Sequence, residues 1–168
     1  MKSISAVLSL AVLAGWTWGA KADDQPLDKD FLIKTASCEH AAIEFAKMAE
    51  KKATSPKVKD FAARLAKDHQ KCYDKLSEVS KNQKVAIVAG LEKDTKAEME
   101  RLDKLSGAEF DREFISGAIK GHKEFIARFE AQALNGKEEE LRNFAKGTLP
   151  GLRAYLKEAE DLAKELAS

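Results

Sequence analysis

The 168 residues hold only two cysteines, three prolines and nine glycines. Two cysteines allow one disulfide at most, so the fold has to be held by its core. So little proline and glycine excludes fibrous and low-complexity classes. Neither sign of charge dominates. Twenty-nine Lys and Arg stand against 28 Asp and Glu, a formal net charge of +1, which leaves no broad electrostatic footprint for nucleic acid or an acidic membrane. What is present is 44% apolar and 34% charged residues, a globular composition at a length that suits one domain or two very small ones.

The N-terminus reads as an address. Met1-Lys2 is a short basic start, and Ile4 to Trp18 is apolar and uncharged. This run is shorter than the roughly 18 residues of a membrane span and fits the central region of a secretory signal peptide. Ala20-Lys21-Ala22 places small residues where a signal peptidase reads, so cleavage is expected between Ala22 and Asp23. Residues 1–22 are then the signal peptide, 23–27 a short tail and 28–168 the domain. Cleavage removes two lysines and no acid. It leaves a periplasmic or secreted chain of 146 residues with 27 basic and 28 acidic side chains and no second run of membrane length.

After the signal the 3.6-residue apolar period dominates, and no strand pattern competes with it. A first helix is expected over 28–53, with an inward stripe of Phe31, Thr35, Cys38, Ala42, Phe45 and Ala49. Ser55-Pro56 caps and opens a second over 56–81, with Val58, Phe61, Leu65, His69, Cys72, Leu76 and Val79 inward. Asn82-Gln83 breaks the chain. A third helix over 86–105 would carry Val88, Leu91, Met99, Leu102 and Leu105. Ser106 and Glu109 have capping-box spacing for a fourth over 108–134, with Phe114, Ala118, His122, Phe125 and Phe129 inward, ended by Asn135-Gly136. The fifth starts at 137–140 and runs through Leu141, Ala145, Thr148, Leu152, Tyr155, Ala159, Leu162 and Leu166, with a kink expected at Gly147, Pro150 and Gly151.

Two tight helix hairpins follow, joined by 82–108. A third helix of that length covers about 30 Å, one bundle length, which predicts an end-to-end crossover. The fold class is therefore all-α: a four-helix bundle of ferritin-like type with an additional crossover helix. In that topology the second and fourth helices run parallel. His69 and His122 each lie 13 residues from their helix starts, so they come to the same height.

The order Phe31…Glu44…Ser55-Pro56…Val58-Lys59-Asp60-Phe61-Ala62…Asp68-His69…Leu105-Ser106-Gly107…Phe110-Asp111…His122…Phe144-Ala145…Leu149-Pro150…Leu152 resembles an exported bacterial family catalogued as domain of unknown function 4142. The resemblance covers about 28–164. It implies a periplasmic ferritin-like bundle and no established activity. In similar sequences a glutamate often stands at the position of Ala42 and a histidine at that of Tyr155, so two metal donors the resemblance would imply are replaced here.

The chemistry narrows accordingly. Di-iron carboxylate sites need Glu-x-x-His on two helices, but Ser37, Ala66 and Ile119 stand three residues before the three histidines, and the inward stripes carry no glutamate. No nucleophilic triad and no phosphate-cradling glycine loop is marked. Reflecting the first hairpin about residue 55 brings Cys38 level with Cys72. A disulfide there, in an oxidising compartment, closes 35 residues and contributes roughly 4 kcal/mol. Reduced, the same thiols with His69 and His122 could instead form a tetrahedral Zn or Cu site. His69 and His122 also have a reading as core residues bonded to each other, to Asp68 or to Tyr155. Gly117 and Gly121 have the spacing of a close helix contact. His40 is expected to face solvent.

Two functions from different classes remain. The first is a non-catalytic exported bundle with a binding or stress-protective role, no cofactor and no nucleic-acid partner, as a monomer or homodimer. The second is a metal-binding bundle that holds Cu, Zn or Fe between helices through His69 and His122, with Asp68, Glu39 or Tyr155 nearby. Ala42 and Tyr155, as missing donors, weigh toward the first.

Overall fold

The structure, a computed structural model, describes residues 27–88 and 90–167; the expected signal peptide and its cleavage point lie outside them. Five helices account for the described residues, which contain no strand: α1 Leu27–Lys52, α2 Pro56–Asn82, α3 Lys93–Asp103, α4 Gly107–Asn135 and α5 Glu139–Leu166. α1 packs along α2 and α4 along α5, while the α1–α4 and α2–α5 contacts join the two hairpins. This is the expected four-helix bundle with a crossover. No helix among the described residues is long and apolar enough to cross a membrane.

The hairpins are locked by a reciprocal pair of buried acids. Asp111, in the first turns of α4, accepts from the backbone N–H of Thr54 (3.0 Å) and Ser55 (2.8 Å) and from the Thr54 hydroxyl (2.7 Å). It thus holds the α1–α2 turn. Asp28, at the start of α1, accepts from the backbone N–H of Lys137 (3.1 Å) and Glu138 (2.9 Å) and from the Gln132 amide (2.6 Å), and so holds the α4–α5 turn. Each hairpin begins beside the other's turn. α1 therefore runs antiparallel to α4, and α2 runs parallel to α4. The negative carboxylates also satisfy N–H groups that a helix start leaves unpaired.

The core divides into two apolar clusters. One gathers Phe61, Phe110, Phe114 and Ile115 toward the α1–α2 turn; the other gathers Phe31, Phe129, Leu141 and Phe144 toward the α4–α5 turn. At about 25 cal/mol per Å² of apolar burial, such clusters are the main favourable term in folding. Ser55 caps α2 as expected, accepting from Val58 N–H (3.5 Å).

Several local expectations are corrected. The crossover is mostly not helical: α3 has 11 residues, not twenty. The stretch Val85-Ala86-Ile87-Val88 lies outside any helix, and Val88 is 78% exposed. Non-helical chain can advance more than twice as far per residue as helix, so a connection with a short helix still spans the bundle. Ser106 bounds α4, but its hydroxyl makes no cap bond because Gly107 turns the chain at φ +61°; the capping box is not formed. Gly136 is not left-handed (φ −58°). It is required for space, since a Cβ there would stand 2.7 Å from the Gln132 carbonyl oxygen. α5 passes unbroken through Gly147, Pro150 and Gly151; exposed Pro150 lies between Leu149 and Leu152, both in the core.

The α1 stripe is rotated from the expected one. Leu32, Ala36, Glu39, Ile43 and Ala46 are buried, whereas Cys38, Ala42 and Phe45 are only half-buried. The expectation of no inward glutamate is therefore wrong: Glu39 is wholly buried.

Asp111→Ala and Asp28→Ala are each expected to lower unfolding free energy by about 2 kcal/mol, because each orphans two backbone donors. The two acids sit at opposite ends of α1, so urea denaturation of the double variant should give the sum within about 0.5 kcal/mol.

Candidate functional site

His69 projects from the middle of α2 and His122 from the middle of α4. Both are buried, 4% and 3% exposed. Their ring centroids lie 5.6 Å apart at an interplanar angle of 69°, so the parallel run of α2 and α4 brings them together as the spacing predicted. Phe125 stands against His69 (5.4 Å) and Tyr155 against His122 (5.8 Å), giving the pair aromatic walls.

Each imidazole has one nitrogen anchored. His69 Nδ1 meets Glu39 Oε2 at 2.5 Å. His122 Nδ1 donates to the Ala118 carbonyl at 2.7 Å. That bond makes Nε2 the lone-pair nitrogen of a neutral His122, and this atom is buried with no partner. The second oxygen of Glu39 is also buried without a partner. Buried polar atoms are nearly always hydrogen-bonded; Thr35 Oγ1 and Gln132 Oε1 are the other unpartnered ones among the described residues, and the Glu39 and His122 atoms stand out by flanking the same ring, that of His69. Burial, reinforced by His69, holds His122 down at about 4 against the Ala118 bond.

The pair is reached from solvent through a cleft of about 640 Å³ between α1, α3 and α4, lined by His69, His122, Cys38, Phe114 and Arg128 among others. Gly117 and Gly121 also line it, and a Cβ added to either would meet open space. They widen the cleft and do not serve a close helix contact.

The remaining candidates fall outside this arrangement. Asp68 is exposed and accepts from Lys71 (2.8 Å) and from the Tyr155 hydroxyl (2.7 Å), not from a histidine. Those two bonds hold its carboxyl below the usual range. Tyr155 likewise bonds no histidine; burial, then the Asp68 bond, pushes its hydroxyl up. Cys38 and Cys72 are free thiols, so the expected bridge is not formed. The Glu39–His69 contact sets the hairpin level about residue 54, which puts Cys38 level with residue 70, and Cys38 turns to α4, where Arg128 donates to its Sγ (3.1 Å). Burial, then the charge of Glu39, pushes the Cys72 thiol up. His40 is half-buried. Among the described residues no three His, Cys, Asp or Glu side chains converge on a metal position, so the tetrahedral Cys–His set is not assembled. The residue that spacing misjudged is Glu39. Its signal was the level match with His69, hidden by a stripe drawn one residue off.

Fold and site together define an all-α four-helix bundle with a histidine pair on the floor of a solvent-reaching cleft. The chain belongs to the family described as Domain of unknown function (DUF4142), whose model matches residues 18–162. Among solved structures it is similar to a DUF305 protein from Streptomyces coelicolor (TM-score 0.75, 13% identity, covering 85% of this chain and 95% of that one). It is also similar to CopM in the Cu(I)-bound form (TM-score 0.71, 19% identity, 84% and 98%) and in the Cu(II)-bound form (TM-score 0.72, 21% identity, 82% and 96%). A comparison with curated proteins found no significant match.

The His122 value has a consequence for stability. An unfolded histidine titrates near 6.5, so between about pH 6.5 and 4 the unfolded chain binds the extra proton. The contribution is complete above pH 6.5 and is lost as pH falls toward 4, by about 3 kcal/mol. Denaturation midpoints measured from pH 4 to 7 should show this slope, and His122→Leu should flatten it.

Proposed function

We propose that this protein is an exported, non-catalytic bundle that binds a transition-metal ion between His69 and His122. The carrying observation is the orphaned, buried Nε2 of His122 beside the His69 ring. Imidazole nitrogen is a common ligand of copper and zinc, and a ligating histidine characteristically gives its other nitrogen to a carboxylate or a backbone carbonyl. Glu39 takes that part for His69, and Ala118 for His122. The ring centroids stand 5.6 Å apart, somewhat closer than the roughly 6.3 Å of two imidazoles bonded in line to one ion at about 2 Å.

The likeness to CopM, solved with Cu(I) and with Cu(II), supports the same reading. Export is supported by the basic start, apolar run and small-residue cleavage pattern of residues 1–22. The protein's own work is to hold the two rings at the floor of the cleft. No general base or nucleophile with an oxyanion partner stands by the pair among the described residues, so the reading is binding without catalysis.

Elemental analysis of protein purified from the periplasm is expected to find about one ion per chain, and none in His69→Ala or His122→Ala with the helical circular dichroism retained. Equal metal content in all three proteins would remove the site from His69 and His122, and none in any after loading with copper, zinc or silver would leave only a metal-free protective bundle.

A further inference from the structure

Resting on the metal reading, we infer that the His69–His122 site selects a soft monovalent cation, Cu(I) or Ag(I), over divalent Zn(II) or Cu(II), with the Glu39 carboxylate as its counter-charge. The number of donors favours a monovalent ion. Zinc takes four ligands and copper(II) a tetragonal set, while Cu(I) and Ag(I) are satisfied by two nitrogens in line. The histidine pair offers two, and no third His, Cys, Asp or Glu converges with them among the described residues. Asp68, the obvious supplement, is exposed and taken by Lys71 and Tyr155.

Charge favours the same ion. Glu39 is wholly buried and touches His69 directly. The other charges on the cleft, Asp94, Glu98, Glu113, Glu124, Lys120 and Arg128, are exposed or half-buried at its solvent side, where water screens them. A monovalent ion on the pair is matched by one buried carboxylate. A divalent ion leaves a positive charge uncompensated between Phe125 and Tyr155, and an unpaired charge in such surroundings is costly. Glu39 therefore has two linked tasks, orienting His69 and setting the charge the site accepts. It is a positioning residue, not an ion ligand. The open space beside Gly117 and Gly121 leaves the entry path clear.

Equilibrium competition on the purified full protein tests this, with Ag(I) and chelator-buffered Cu(I) set against Zn(II) and Cu(II). The Ag(I), Cu(I) and Zn(II) titrations are followed by the nitrogen chemical shifts of the two imidazoles, and that of paramagnetic Cu(II) by the loss of those signals. The expected result is one Ag(I) per chain, shifting both Nε2 signals, bound about a hundredfold tighter than Zn(II). Glu39→Gln keeps the shape of the side chain and removes its charge. It is expected to weaken Ag(I) about tenfold, the usual effect of an outer-shell partner, and to narrow the gap to Zn(II). Zn(II) or Cu(II) binding through the same two histidines as tightly as Ag(I) overturns the charge selection and leaves the metal reading intact. An unchanged Ag(I) affinity in a folded Glu39→Gln protein removes Glu39 from it. Binding of no ion ends both. If the variant does not fold, the wild-type competition decides alone.

Discussion

A carboxylate removed from water has to be answered by a donor, and the core of this protein is arranged around one such answer, Glu39 to His69. The contact joins α1 to α2 at mid-height and sets the register of the first hairpin. With that register, Leu32, Ala36, Ile43 and Ala46 turn inward and Cys38 turns aside toward α4. The same contact anchors one nitrogen of His69 and leaves the ring facing His122. Position and chemistry of the site therefore follow from one buried pair. An apolar substitute for both partners could pack the bundle as well; what it could not do is hold an imidazole in a chosen orientation.

The ends of the bundle are tied across the hairpins, and its centre is not. Asp28 and Asp111 each gather backbone donors from the opposite hairpin's turn, and the aromatic clusters lie on either side of the histidine level. Stability is thus concentrated away from the middle. There the orphaned Glu39 and His122 atoms, the half-buried cysteines and two glycines with empty space beside them loosen the packing. Helical glycine costs roughly 1 kcal/mol relative to alanine, so Gly117 and Gly121 are a concession in stability that keeps the cleft open.

Much of this was legible in the residues. The apolar period and Ser55-Pro56 marked the helices, and the equal offsets of His69 and His122 from their helix starts placed both rings at one height. The crossover was legible in length but not in conformation: Val85 to Val88 could be read as helix or extended chain until the span was known. Glu39 was obscured because α1 is apolar on more than one side. Thr35, Cys38, Ala42 and Phe45 make as regular a stripe as Leu32, Ala36, Ile43 and Ala46, and only packing against α2 and α4 chooses between them. The roles of Asp28 and Asp111 were illegible for another reason. Each acts on a turn more than fifty residues away in sequence, and no local pattern encodes such a contact.

The absence of donors at Ala42 and Tyr155 takes on a different meaning in this light. Counted as lost ligands, they argue against any metal. In the structure Ala42 lines the cleft, and Tyr155 spends its hydroxyl on Asp68 while its ring walls His122. A glutamate in place of Ala42 would bring another carboxylate to the cleft, and a histidine in place of Tyr155 a third imidazole beside the pair. On the metal reading proposed above, those changes would suit an ion with more charge and more coordination positions. Ala42 and Tyr155 leave two imidazoles, one buried carboxylate and aromatic walls, a setting that would suit an ion of lower charge and fewer ligands.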